Sequence, residues 1–132
     1  MYGKIKNDIL GKKYSLSIAQ ISAQKSREIN KKYRKKDKPT NVLSFAFSKK
    51  EGEILLCPSV IKKEIKKFDR TFPELMGFLV IHGMLHLKGM EHSSRMERLE
   101  EKYDQKYFSR HRHRILHDSS RGGRISKRRK KS

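Results

Sequence analysis

The chain has 132 residues and carries 34 Lys and Arg against 14 Asp and Glu, a formal charge of +20. Its length suits one domain and leaves little room for a second. No apolar run reaches the ~18 residues of a membrane span, MYGKIKNDIL lacks the apolar stretch of a secretory signal, and the single Cys57 excludes a disulfide framework or a cysteine-built zinc finger.

In chain order, Ile5 and Ile9 stand at helical spacing before Gly11, which predicts a short helix with a glycine stop. YSLSIA, from Tyr14, alternates apolar and small polar residues as a half-buried strand does. Ser22 is a fitting N-cap for a helix running to Arg34, with Ile29 and Tyr33 on one face. RKKDKPT is a polar turn, VLSFAF a second strand and EILLC a third, and the five residues SKKEG between the last two predict a hairpin. Pro58 and Ser59 introduce a helix lined on one side by Ile61, Ile65 and Phe68. Thr71 and Glu74 have capping-box spacing, and the helix that follows, ELMGFLVIHGMLHLK, is apolar nearly all round, as a central buried helix would be. Ser94 and Glu97 predict a second capping box, opening a helix striped by Met96, Leu99, Tyr103 and Tyr107.

The charge is spread over both parts of the chain. From Ser109 to Ser132 there are ten Lys and Arg against Asp118, a composition that predicts a disordered basic tail. The preceding 108 residues still hold 24 basic against 13 acidic residues, an excess of +11. Such a field draws polyanions, and RNA or DNA is favoured over an acidic membrane because no basic helix shows a clean apolar face. With no membrane or secretion signal, the expected compartment is the cytoplasm.

Within the buried helix and just beyond it, HGMLHLKGMEH places His82, His86 and His92 with three and then five residues between them. Four residues along a helix bring His82 and His86 to one face, and Gly89 lets the chain turn so that His92 returns over them. Three neutral imidazoles suit a divalent metal with an open position for water. In zinc proteases the residue after the first histidine is a glutamate that takes a proton from that water; here it is Gly83. The nearest acid in sequence, Glu91, is the candidate to orient a histidine or to serve as base. A second histidine group, His111, His113 and His117, stands among Arg110, Arg112 and Arg114, which repel a cation, and reads as part of a solvated arm.

HGMLHLKGMEH resembles the H-G-x-L-H-L-x-G-x-D-H pattern of the YbeY family, bacterial metal-dependent endoribonucleases of ribosomal RNA maturation. INKKYRKKDKPTNVLSFAF is similar to that family's stretch of asparagine, Tyr-Arg and T-[DN]-V-L-S-F, and GEILLC to its G-[DE]-I-x-[IL]-C/S strand. The resemblance implies an α+β domain over residues 1–108, with a reduced mixed β-sheet of three to four strands, four to five helices and a central buried helix carrying the ligands, followed by the tail 109–132. It implies one zinc per chain on His82, His86 and His92, with Arg34 gripping an RNA phosphate during catalysis. The other expected RNA contacts are Lys31, Lys32, Lys35 and Lys36, with Arg110, Arg112, Arg114, Arg128 and Arg129 of the tail. The implied task is single-strand cleavage in maturing the 3′ end of small-subunit (16S) ribosomal RNA and in ribosome quality control. Its implied partners are the small subunit, one of its proteins and the GTPase Era. Glu91 stands where the family has aspartate, and only about a dozen residues precede the first strand. Two other functions suit part of the pattern. One is a non-enzymatic ribosome assembly factor with a structural zinc; the other is a metalloprotease, which Gly83 makes remote.

Overall fold

Five helices and three strands follow one another in the computed structural model, which describes residues 2–108. Residues 109–132, and with them the expected basic arm and its histidines, lie outside the described residues. The elements are α1 (Gly3–Ile9), β1 (Ser15–Gln20), α2 (Ala23–Arg34), β2 (Val42–Ser48), β3 (Glu51–Leu56), α3 (Pro58–Phe68), α4 (Phe72–Leu87) and α5 (Ser94–Phe108). The strand order is β1-β3-β2, with β1 parallel and β2 antiparallel to β3, so the sheet is mixed as the α+β reading expected.

The register explains which residues go inside. Ile18, Ile54 and Ser44 are aligned across the three strands, as are Leu56 and Val42 beside Gln20. Alternation along a strand sends that set to one face, and Ile54, Leu56 and Val42 join the main core there. On the opposite face Leu43 and Leu55 are cross-strand partners, and Phe45 meets Tyr33 of α2 edge-on, 5.3 Å between ring centroids. Helix α4 is the centre of the first layer. It packs against β2, β3, α1, α3 and α5, and Leu75, Val80, Ile81 and Met84 are wholly buried. A helix with neighbours on every side has no polar face to show, which is why its sequence is apolar all round.

Local chemistry fixes the ends of α4. Thr71 Oγ1 accepts from the Glu74 backbone N–H and Glu74 Oε1 accepts from the Thr71 N–H, the expected capping box. Replacing Thr71 by alanine removes half of that exchange, and urea unfolding should show a loss of about 1 kcal/mol. At the other end Gly89 has φ +101°, its N–H bonds to the His86 carbonyl, and the Met90 N–H reaches back to the Leu85 carbonyl. These two bonds form a Schellman motif, which requires the left-handed residue that glycine supplies without strain.

Three expectations change in detail. The β2–β3 connection is two residues, Lys49 and Lys50, because both strands extend toward the turn and β2 bulges between Ala46 and Ser48. Helix α5 is capped by Ser93, whose Oγ accepts from the Met96 N–H; an N-cap must precede the first helical residue, and Ser94 already lies in the helix. On α2 the buried face is polar, built from Ser26 and Asn30, while Tyr33 stays exposed. Ser26 Oγ bonds both the carbonyl and the N–H of Thr40, and Asn30 Nδ2 donates to the Lys38 carbonyl. Those side chains pin the loop between α2 and β2, a task no apolar side chain could perform.

Candidate metal centre

The helical step brings His82 and His86 together as expected: their Nε2 atoms are 3.1 Å apart. The Schellman turn then carries His92 back, and the three rings surround one point, with centroids 4.6 to 5.3 Å apart. One ligand atom from each lies within 4.8 Å of the others. In a tetrahedral zinc site with Zn–N bonds of about 2.0–2.1 Å, the nitrogens stand roughly 3.3 Å apart.

What the rings do with their other nitrogens decides whether the set can bind a cation. His86 Nδ1 lies 2.9 Å from the Met90 carbonyl, which can only accept, so Nδ1 holds the proton and Nε2 keeps its lone pair. His82 Nδ1 donates to Glu100 Oε2 at 2.5 Å, leaving its Nε2 likewise free of hydrogen. Two lone pairs facing each other at 3.1 Å repel unless a cation or a proton lies between them. The donor set therefore fits a divalent metal on His82, His86 and His92, with imidazole ligands and no thiolate. Cys57 is buried in the core and forms no part of it.

Glu100 is the functional residue that sequence reasoning missed. It sits on α5, 6% exposed, at the end of a carboxylate–histidine contact of the kind that orients metal ligands. The signal was available: Glu100 falls four residues after Met96 and three before Tyr103, inside the apolar stripe of α5. A carboxylate on a buried stripe needs a partner, and so does Asp104, which takes a bidentate pair from Arg70 at 3.0 and 2.9 Å. Glu91 is exposed and one residue from His92, while the second nitrogens of His82 and His86 are held by Glu100 and the Met90 carbonyl. Arg34 closes α2, on the sheet face opposite α4, and it and Lys31, Lys32, Lys35 and Lys36 are all exposed.

Gly83 has a structural reason of its own. A Cβ built on it would lie 3.0 Å from Ile54 Cδ1, so the position after the first histidine faces β3 across a close approach of helix to sheet. In this packing the place of the protease glutamate points into the core.

Burial, and then the charge of His82, push the pKa of His86 below the ordinary histidine value. The folded chain thus resists protonation there while the unfolded chain takes up a proton near pH 6.5. Below that pH the unfolded state binds more protons, so stability falls as pH drops from about 6.5 toward the lowered value, and is fully present above. Urea midpoints of the chelator-treated protein should rise with pH up to about pH 7, with a shallower rise in His86→Gln.

These features define a small α+β domain with a group of three histidines that could hold a metal at the C-terminal end of a buried helix. Residues 3–111 match the family model described as endoribonuclease YbeY, and the chain belongs to that family. It is 40% identical over 94 residues to an endoribonuclease YbeY of Colwellia psychrerythraea, a match covering 66% of this chain and 61% of that one. A Buchnera aphidicola endoribonuclease YbeY is 39% identical over 109 residues, covering 71% and 70%. The solution structure of TM1509 from Thermotoga maritima, at 29% identity, superposes with a TM-score of 0.59 over 90% of this chain and 87% of its own. The chain spans about six tenths of the Colwellia relative and 55% of the one from Lactobacillus helveticus.

Proposed function

We propose that this protein is a metal-dependent endoribonuclease that cuts single-stranded RNA. The observation that carries the reading is the trio of imidazoles with two of its second nitrogens fixed, in a chain of this family. A divalent ion there, for which we propose one zinc per chain, supplies a Lewis acid that polarises a phosphoryl oxygen and acidifies a water. His82 and His86 present bare Nε2 atoms to it from a rigid helix, and His92 closes the set from the turn. Arg34 is assigned to the phosphate, because a guanidinium fork grips two oxygens and stabilises charge developing on phosphorus. Glu91, exposed beside His92, is the proposed proton acceptor.

The further reading is that the RNA is the 3′ region of 16S ribosomal RNA, met in the cytoplasm on the small subunit with a small-subunit protein and the GTPase Era. The large positive excess supports a polyanionic substrate, and no described helix is long and apolar enough to cross a membrane.

The test compares wild type, His86→Ala and Arg34→Ala, purified identically, for metal content and for cleavage of a short single-stranded RNA from that region. The expected result is that wild type binds metal and cuts, His86→Ala loses metal, and Arg34→Ala keeps its metal while cutting far more slowly. Equal cleavage by all three overturns the reading, and metal and RNA binding without cleavage by wild type favours an assembly factor with a structural metal.

A further inference from the structure

Two large apolar side chains are strongly exposed among the described residues, Tyr33 at 59% and Phe47 at 61%. Both belong to surfaces built to show them. Tyr33 stands on the last turn of α2 with its edge against Phe45, 5.3 Å between centroids at 67°, so the ring is braced on one side and open on the other. Phe47 is the extra residue of the β2 bulge: Ala46 pairs with Gly52 and Ser48 with Glu51, leaving Phe47 without a partner in the ladder. A bulge re-aims a side chain, and here β2 is an edge strand.

Lysines and an arginine stand close to both rings in sequence, with Glu51 and Glu53 across the ladder from Ser48 and Phe45. Lys32 Nζ lies 5.3 Å from the Tyr33 centroid, and Arg34, Lys35 and Lys36 follow at once. Phe47 is followed by Lys49 and Lys50 in the hairpin turn. The nearest acid after Tyr33, Asp37, is engaged by Arg27 in a two-pronged ion pair. Protein–protein interfaces are depleted in lysine at their apolar cores, whereas surfaces for unpaired nucleic acid interleave aromatic rings, which take base faces, with cations, which take phosphates. A duplex hides its base faces and cannot use such rings.

The sheet connects this surface to the metal centre. At Gly52, beside Ala46, the side chain of Leu87 and the Tyr14 hydroxyl occupy the place of a Cβ, so the last turn of α4, with His86, reaches the same end of the sheet as Phe47.

We infer that Tyr33 and Phe47 are stacking positions for unpaired RNA bases, gripping single-stranded substrate at the end of the sheet that the last turn of α4 also reaches; the inference rests on the endoribonuclease reading. The test is binding, recorded before cleavage sets in, of a single-stranded RNA carrying 2-aminopurine, whose fluorescence is quenched on stacking. Metal-loaded wild type is compared with Tyr33→Ala, Tyr33→Phe, Phe47→Ala and Lys35→Ala across a salt series. Each alanine at an aromatic position should weaken binding about tenfold and remove part of the quench with no change of salt slope. Tyr33→Phe should bind as wild type does, and Lys35→Ala should reduce the salt slope by about one. Phe47→Ala should leave the melting temperature unchanged, and Tyr33→Ala, which loses only the edge contact with Phe45, should lower it by no more than a few degrees. Undiminished binding by the alanine variants, in protein that still cuts RNA, overturns the platform and leaves the nuclease reading standing. Variants that alter self-association while binding RNA normally also overturn it, marking a protein-binding surface. A wild type that neither binds nor cuts RNA brings down the nuclease reading itself.

Discussion

Glu100→Ala should weaken metal binding by about 10- to 100-fold while the three histidines remain in place. The carboxylate accepts from His82 Nδ1 at 2.5 Å and is itself buried, so it sets both the tautomer and the direction of the ring. Without it, either nitrogen of His82 can carry the proton, and the fraction of the population protonated on Nε2 cannot offer that atom to a metal. The ring also loses its brace and must be ordered by the ion on binding. Glu100→Gln separates the two contributions: an amide oxygen can still accept from Nδ1–H and hold the ring, but it carries no charge to raise the basicity of the ligand. We expect its affinity to fall between those of wild type and Glu100→Ala. Competition with a chromophoric chelator measures both, and needs no nuclease assay. An affinity in Glu100→Ala equal to that of wild type would show that the packing of α4 alone orients His82.

The contrast between Glu91 and Glu100 shows where the sequence was legible. His82, His86 and His92 could be read because their geometry is local: a helical step and a glycine turn determine it within eleven residues. Both helix caps of α4 and the short α1 ending before Gly11 were legible for the same reason. The partner of His82 comes from α5, 18 residues away, and nothing local ties the two. What the sequence offered was an anomaly, a carboxylate within an apolar stripe, whose meaning depended on a helix packing that no periodicity specifies. The same holds for Ser26 and Asn30, where apolar spacing pointed to Ile29 and Tyr33 while the loop they must hold required polar groups on the buried side. The bulge that turns Phe47 out is likewise a property of register between two strands, invisible in either one.

Restoring the protease glutamate, Gly83→Glu, should destabilise the fold by more than about 4 kcal/mol and yield no peptidase. Helix α4 lies so close to β3 at this position that even a methyl group meets Ile54 Cδ1 at 3.0 Å and its Cγ1 at 3.2 Å. Gly83→Ala is the calibrating variant. The Ile54 side chain has to give by a few tenths of an ångström, an overpacking cost of about 1–3 kcal/mol, which the better helix propensity of alanine offsets by about 1 kcal/mol. A net loss of at most about 2 kcal/mol is expected. The glutamate adds four more heavy atoms in the same direction and a charge that meets Ile54, wholly buried in the core, instead of water. It can relieve that burial by prising α4 from the sheet, which would displace His82 and His86 together, or by unfolding. Urea denaturation of both variants, with metal titration of whichever remains folded, measures the two costs. A stable Gly83→Glu protein with unaltered metal affinity would show that this helix–sheet contact yields easily. The expected collapse would mean that the absence of a glutamate after the first histidine is a condition of the fold as well as a feature of the chemistry.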